Sequence, residues 1–128
     1  MDERYLIDTN ILIYCMAHEL PDDFRRRMID ILSHSFSISI ITEIEFLGWR
    51  GHTKEGYSKA AAFLADTEVH GIDREVRDAA IQLRRAGSIK LPDAVIAATA
   101  LVHDRTLVTR NISDFSEIAL LKVLNPFA

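Results

Sequence analysis

Cysteine, proline, glycine and long apolar runs are all scarce in this chain, and each scarcity excludes something. A single cysteine, Cys15, forms no internal disulfide and leaves no second thiol for a CxxC metal pair, so a reduced, cytoplasmic setting is expected. Three prolines and five glycines in 128 residues leave no linker, repeat or low-complexity segment. The longest apolar runs, such as Ile11–Tyr14 and Ala94–Val102, fall far short of the roughly 20 residues a membrane helix needs, so no membrane contact is expected. No basic stretch leading into an apolar one opens the chain, and secretion is not signalled. Positive charge is not in excess either: 15 Lys+Arg stand against 19 Asp+Glu, a formal net charge of −4. That argues against a protein that coats DNA by neutralising phosphates. It leaves nucleic acid open as a substrate, because a bound metal and a local basic patch can do that work.

What is present is an ordinary globular composition, 48% hydrophobic and 27% charged, expected to form one domain over residues 1–128. Tyr5–Ile7 reads as a short buried strand, followed by a polar turn at Asp8-Thr9-Asn10 and a helix from Ile11. Asp23–Ser33 places Phe24, Met28, Ile31 and Leu32 on one helical face. Phe36–Ile41 alternates and reads as a second strand; Thr42, with Glu45 three residues on, then resembles a capping box opening a helix. Helices are expected over Lys54–Ala65 and Asp73–Ala86, with a short strand at Val69–Ile72 between them. Leu91-Pro92-Asp93 opens a helix over Ala94–His103 that is apolar nearly all round and so belongs in the core. A strand at Thr106–Thr109, a helical turn at Ile112–Ile118 and a last strand at Leu121–Leu124 complete the chain. Strands alternating with helices predict an α/β sandwich around a mostly parallel sheet.

In such sheets ligands bind beyond the carboxyl ends of the strands. Asp8, Glu45 and Asp114 each follow an apolar run, and Asp93 opens the core helix. Parallel strands bring these four carboxylates to one edge. Clustered carboxylates raise each other's pKa unless a cation neutralises them. An oxygen-only set without His or Cys suits Mg²⁺ or Mn²⁺ better than zinc, and such ions activate water and offset charge developing on a phosphodiester. Each acid alone has a plainer reading. Asp8 can cap the next helix, Glu45 can complete a capping box, Asp93 can answer a helix dipole, and Asp114 can be a turn residue.

The residues also match a family. Leu6-Ile7-Asp8-Thr9-Asn10, Ser39–Gly48 with Thr42 and Glu45, Pro92-Asp93-Ala94-Val95-Ile96-Ala97-Ala98-Thr99-Ala100, Leu107-Val108-Thr109-Arg110-Asn111, Asp114-Phe115 and Asn125-Pro126 occur in the family's order. In these stretches the chain resembles PIN-domain proteins, and among them the small VapC-type toxin ribonucleases of toxin–antitoxin pairs. The resemblance implies a three-layer α/β/α sandwich and a Mg²⁺- or Mn²⁺-dependent endoribonuclease. It makes Asp8, Glu45 and Asp93 the first three acids. The family places an acid or Asn at the position of Asn111 and often another acid at that of Asp114; the first is Asn here, so Asp114 is the better candidate for the fourth carboxylate. Thr9, Asn10 and Thr109 become groups that orient carboxylates or waters, and Asn111 a ligand for metal-bound water or substrate. An RNA substrate, a VapB-type antitoxin and a homodimer are implied as partners.

Arg110 sits inside the candidate site and is a candidate phosphate contact. Arg25-Arg26-Arg27 reads as a solvated face opposite Asp22, Asp23 and Asp30, or as part of an antitoxin surface. The histidines at 18, 34, 52, 70 and 103 have no metal-ligand spacing. Phe46 and Trp49 are expected in the core or at a dimer surface, and Cys15 as a buried apolar residue. A haloacid-dehalogenase-type phosphatase needs a second aspartate where Asn10 stands, and a phosphoreceiver domain needs an acidic pair and a late lysine that are absent. The remaining rival is a non-catalytic PIN-fold module binding RNA or protein, which has no physical reason to assemble a carboxylate cluster.

Overall fold

The computed structural model describes residues 3–16 and 19–127. Twelve elements follow in order: β1 (Tyr5–Ile7), α1 (Thr9–Cys15), α2 (Asp22–His34), β2 (Ser37–Ser39), α3 (Ile40–Leu47), α4 (Lys54–Phe63), β3 (Glu68–His70), α5 (Arg74–Ala86), α6 (Leu91–Val102), β4 (Thr106–Val108), α7 (Ile112–Phe115) and β5 (Val123–Leu124). Every strand pair is parallel. One sheet runs β1-β4-β5 and a second pairs β2 with β3. The two meet where β2 lies against β1, and there a side chain supplies the link: Ser37 Oγ donates to the Tyr5 carbonyl at 2.6 Å.

Alternation along each strand sorts the core into two layers, because successive side chains leave opposite faces. Tyr5 and Ile7 pack with Ile11, Phe24, Met28 and Phe46 on one side. Leu6 and Leu107 pack with Ile96, Ala100 and Phe115 on the other. Helix α6 is buried over the unbroken run Ala94–Ala100. Its small side chains let α5 approach closely and enclose Val76 and Ala80 against Val95 and Ala98. The result is a three-layer α/β/α sandwich. No helix among the described residues is long and apolar enough to cross a membrane.

The largest departure from the sequence reading is at β2. The strand expected over Phe36–Ile41 ends at Ser39, and α3 begins at Ile40. Ser39 caps that helix, its Oγ accepting from the Ile41 N–H at 3.1 Å. Thr42 is therefore not a cap but a fully buried residue inside α3. Two consecutive isoleucines extend the strand pattern by eye, yet Ser39, immediately before them, offers the backbone a cap. The polar turn expected at Asp8-Thr9-Asn10 is likewise shorter: Asp8 is the N-cap and α1 starts at Thr9. The last strand is Val123–Leu124 alone. Phe46 joins the core, but Trp49 is 64% exposed and lies outside it. Cys15 is half-buried, and burial lifts its thiol pKa to about 11, an unreactive side chain. Of the histidines, His18 lies outside the described residues.

Candidate active site

The register of β1 against β4 builds the centre of the site. Ile7 pairs with Val108, so the next residues, Asp8 and Thr109, emerge side by side at the carboxyl edge. The Asp8 backbone N–H donates to the Val108 carbonyl at 2.9 Å and fixes this alignment. Asp8 is only 6% exposed. Thr109 Oγ1 donates to Asp8 Oδ2 at 2.7 Å, and the Thr9 N–H donates to Asp8 Oδ1 at 2.8 Å. Thr109 is itself held, since its Oγ1 accepts from the Asn111 N–H at 3.0 Å. Capping and site geometry are one arrangement here: the carboxylate that starts α1 is also the innermost acid.

The second acid arrives on α3. Thr9 Oγ1 donates to Glu45 Oε1 at 2.7 Å and lies 3.3 Å from Thr42 Oγ1. Thr42 and Glu45 are three residues apart on one helix face, so both turn toward Thr9. Asp93 enters in the first turn of α6, after Pro92, and Asp114 stands in α7.

Electrostatics shows how close these groups are. Burial pushes the Asp8 pKa up; the hydrogen bonds from Thr109 and Thr9 oppose this, while the charges of Glu45 and Asp114 add to it. Asp93 is also raised, first by burial and then by Asp8, Asp114 and Glu45, with only Lys90 acting the other way. Four carboxylates, from the cap of α1 and from α3, α6 and α7, thus share one field at the edge of the parallel strands. No three His, Cys, Asp or Glu side chains among the described residues are gathered tightly enough to hold an ion between them directly.

The other candidate residues divide. Thr9 and Thr109 touch the acids as just described. Asn111 acts through its backbone, and its side chain makes no cap for α7. Asn10 is exposed in the first turn of α1. Arg110 turns from the acids toward the chain's end: its guanidinium lies 5.3 Å from the Tyr14 ring centre and 4.7 Å from that of Phe127, and donates to the Tyr14 hydroxyl at 3.0 Å. Arg27 reaches the same tail, donating to the Pro126 carbonyl at 2.9 Å. Sequence reasoning missed Thr42 as a site neighbour. Its signal was its place one turn before Glu45.

A family profile described as the PIN domain matches residues 5–121. This chain belongs to the PIN domain family. Among solved structures, a toxin–antitoxin complex from Klebsiella pneumoniae is 30% identical, covers 95% of this chain and 97% of its own, and superposes with a TM-score of 0.76. VapBC2 from Rickettsia felis, bound to a DNA fragment from its promoter, is 25% identical over 95% of this chain and 98% of its own, with a TM-score of 0.79. VapBC-1 from nontypeable Haemophilus influenzae shares the fold at a TM-score of 0.82 and 22% identity, covering 98% of this chain and 99% of its own. No curated protein matches by sequence. The PIN architecture explains why acids so distant in sequence meet: Asp8 is the first residue beyond β1, Asp93 and Asp114 lie in the first turns of α6 and α7, and Glu45 reaches the same edge from the second turn of α3.

Proposed function

We propose that this PIN domain is a metal-dependent endoribonuclease, the toxin of a VapBC-type pair, hydrolysing RNA phosphodiester bonds. The observation that carries the reading is Asp8: a buried carboxylate beside three other acids, aimed by a threonine hydroxyl. Burying like charges is costly, and a fold gains nothing from it unless a cation joins them.

The donor set fits a hard divalent ion. All candidate ligands are carboxylate oxygens, and Mg²⁺ commonly binds through one or two carboxylates while keeping several waters. The acids need not close directly on one point for such binding. Asp8, Asp93 and Asp114 would hold Mg²⁺ or Mn²⁺, directly or through water, and Glu45 would hold a second ion or take a proton from the attacking water. When bound, the ion supplies Lewis acidity toward a water and a phosphate oxygen. The chain's own part is to fix the acids: Thr109 and the Thr9 N–H orient Asp8, and the Thr9 hydroxyl orients Glu45.

The partners proposed are RNA as substrate, a VapB-type antitoxin and a second copy of the chain. The Klebsiella and Rickettsia complexes support the antitoxin. Cleavage of mixed structured RNAs by the purified chain, with Mg²⁺ or Mn²⁺ against EDTA, tests the reading. Cleavage in metal alone is expected; cleavage undiminished in EDTA contradicts it.

A further inference from the structure

Beside the acids, an open cleft of about 590 Å³ runs between the end of α5, the turn into α6, and α7. Its size lies within the ~300–1,000 Å³ range of small-molecule sites. Asp93 and Asp114 stand at one side of it, so it continues the candidate active site. Leu83, Ile89, Ile118 and Leu120 supply apolar surface, and Leu120 is 86% exposed. The turn is fixed: Arg84 Nη1 donates to the Ile89 carbonyl at 2.8 Å.

Two residues give the cleft its chemistry. Gly87 presents bare backbone to it, and a Cβ added there meets nothing nearer than Glu117 Oε2 at 4.0 Å. Glu117 therefore stands beside a flat peptide surface, and no salt bridge occupies its carboxylate among the described residues. Lys90, exposed at the start of α6, is the cation of the lining. With Asp93 and Asp114 engaged by the ion they would hold, Glu117 against Lys90 leaves the rest of the cleft without excess positive charge for a second phosphate, and its apolar wall and free carboxylate suit a neutral, flat group that carries hydrogen-bond donors.

We propose that this cleft seats the base of the RNA nucleotide next to the cleaved phosphate, and that Glu117 selects bases presenting N–H donors, guanine best. This rests on the nuclease reading and names part of its substrate. Single-stranded bases are read on their Watson–Crick edges and stacked on flat or apolar surfaces. Guanine offers adjacent N1–H and N2–H donors that a carboxylate accepts together; uracil offers one donor flanked by two carbonyls that a carboxylate repels. Discrimination by such a paired contact is about tenfold or more.

The test is amide NMR of the full chain, titrated with GMP and UMP, which hold no internucleotide bond to cleave. GMP is expected to shift the Gly87, Ser88 and Glu117 amides with about tenfold tighter binding than UMP. Glu117→Gln should erase the difference. Gly87→Trp should abolish the shifts; Gly87 is in extended backbone at φ −162°, so the substitution is free of backbone strain, and the spectrum itself reports folding. Equal binding of GMP and UMP, shifts elsewhere, or a response to an arginine peptide in place of GMP overturns the proposal. RNA cleavage measured on the same sample separates the two readings. Cleavage without a GMP response sinks the base site alone, and a GMP response without RNA cleavage leaves a guanine-selective cleft but overturns both the nuclease reading and the placing of that base beside a cleaved phosphate.

Discussion

Thr109 donates a 2.7 Å hydrogen bond to Asp8 across 101 positions of chain. The bond is a product of strand register: with Ile7 opposite Val108, the two residues that follow are neighbours. A hydroxyl is the smallest group that can both donate to a buried carboxylate and accept from the Asn111 N–H. Thr109 thereby joins the loop after β4 to the innermost acid.

Replacing Thr109 by valine keeps the shape and removes the hydroxyl. Loss of such an orienting partner lowers metal affinity or activity by about 10–100-fold, and Thr109→Ser should restore most of it. Mn²⁺ titration and RNA cleavage of both variants check this. Wild-type values in Thr109→Val would show that Asp8 needs no aiming.

Removing one acid should relieve the metal-free protein. The folded-state pKa of Asp93 is raised, so between the ordinary 3.8 and that higher value the native state binds more protons than the unfolded chain. Stability contributed by this group therefore falls as pH rises. Asp93→Asn should raise Tm without metal at pH 7 by a few degrees, screened as the group is by solvent, and the gain should vanish below pH 3.8. Thermal melts in EDTA across pH read this directly. A Tm unchanged or lowered at pH 7 would contradict it.

His70 sets a second pH response, far from the acids in chemistry. Its ring centre lies 4.1 Å from that of His103, the rings tilted by 30°, and burial lowers its pKa, helped by His103 and Arg105 and opposed by Glu68. A base with a lowered folded pKa leaves the unfolded chain binding more protons. Stability is then lost as pH falls through the ordinary 6.5. Denaturant midpoints between pH 7 and 5 should drop more steeply for wild type than for His70→Gln; parallel slopes would dismiss His70 as the cause.

Ser37 joins the two sheets through its bond to the Tyr5 carbonyl. Ser37→Ala should cost about 1 kcal/mol, because the Tyr5 carbonyl loses its short bond and keeps only the 3.5 Å one from Ser35 Oγ. Urea unfolding measures it, and a cost near zero would mean that the β1–β2 contact is held by packing alone.

Much of this arrangement is legible in the sequence, for local reasons. Asp8, Asp93 and Asp114 stand near apolar runs, so the elements they belong to are plain, although α1 starts two residues before Ile11 and the turn holding Asp114 ends at Phe115 rather than Ile118. Glu45 falls on the third helix whether Thr42 or Ser39 caps it, because a shift of the helix start leaves the spacing of Thr42 and Glu45 intact. What the sequence hides is contact between distant side chains. Nothing local shows that Thr42 is buried beside Thr9, or that Arg110 lies over Tyr14 and Phe127, since both depend on tertiary packing. Ser39 as a cap was hidden by the isoleucines on either side of it, which serve strand and helix equally well.

The most direct test of the central claim is RNA cleavage by Asp8→Asn beside wild type, in Mg²⁺ or Mn²⁺, with equal folding checked by circular dichroism. Asparagine keeps the size and the cap of α1 but removes the charge. Metal-dependent cleavage by wild type and its loss by at least a hundredfold in the variant is the expected result. Full cleavage by a folded Asp8→Asn chain would contradict the account.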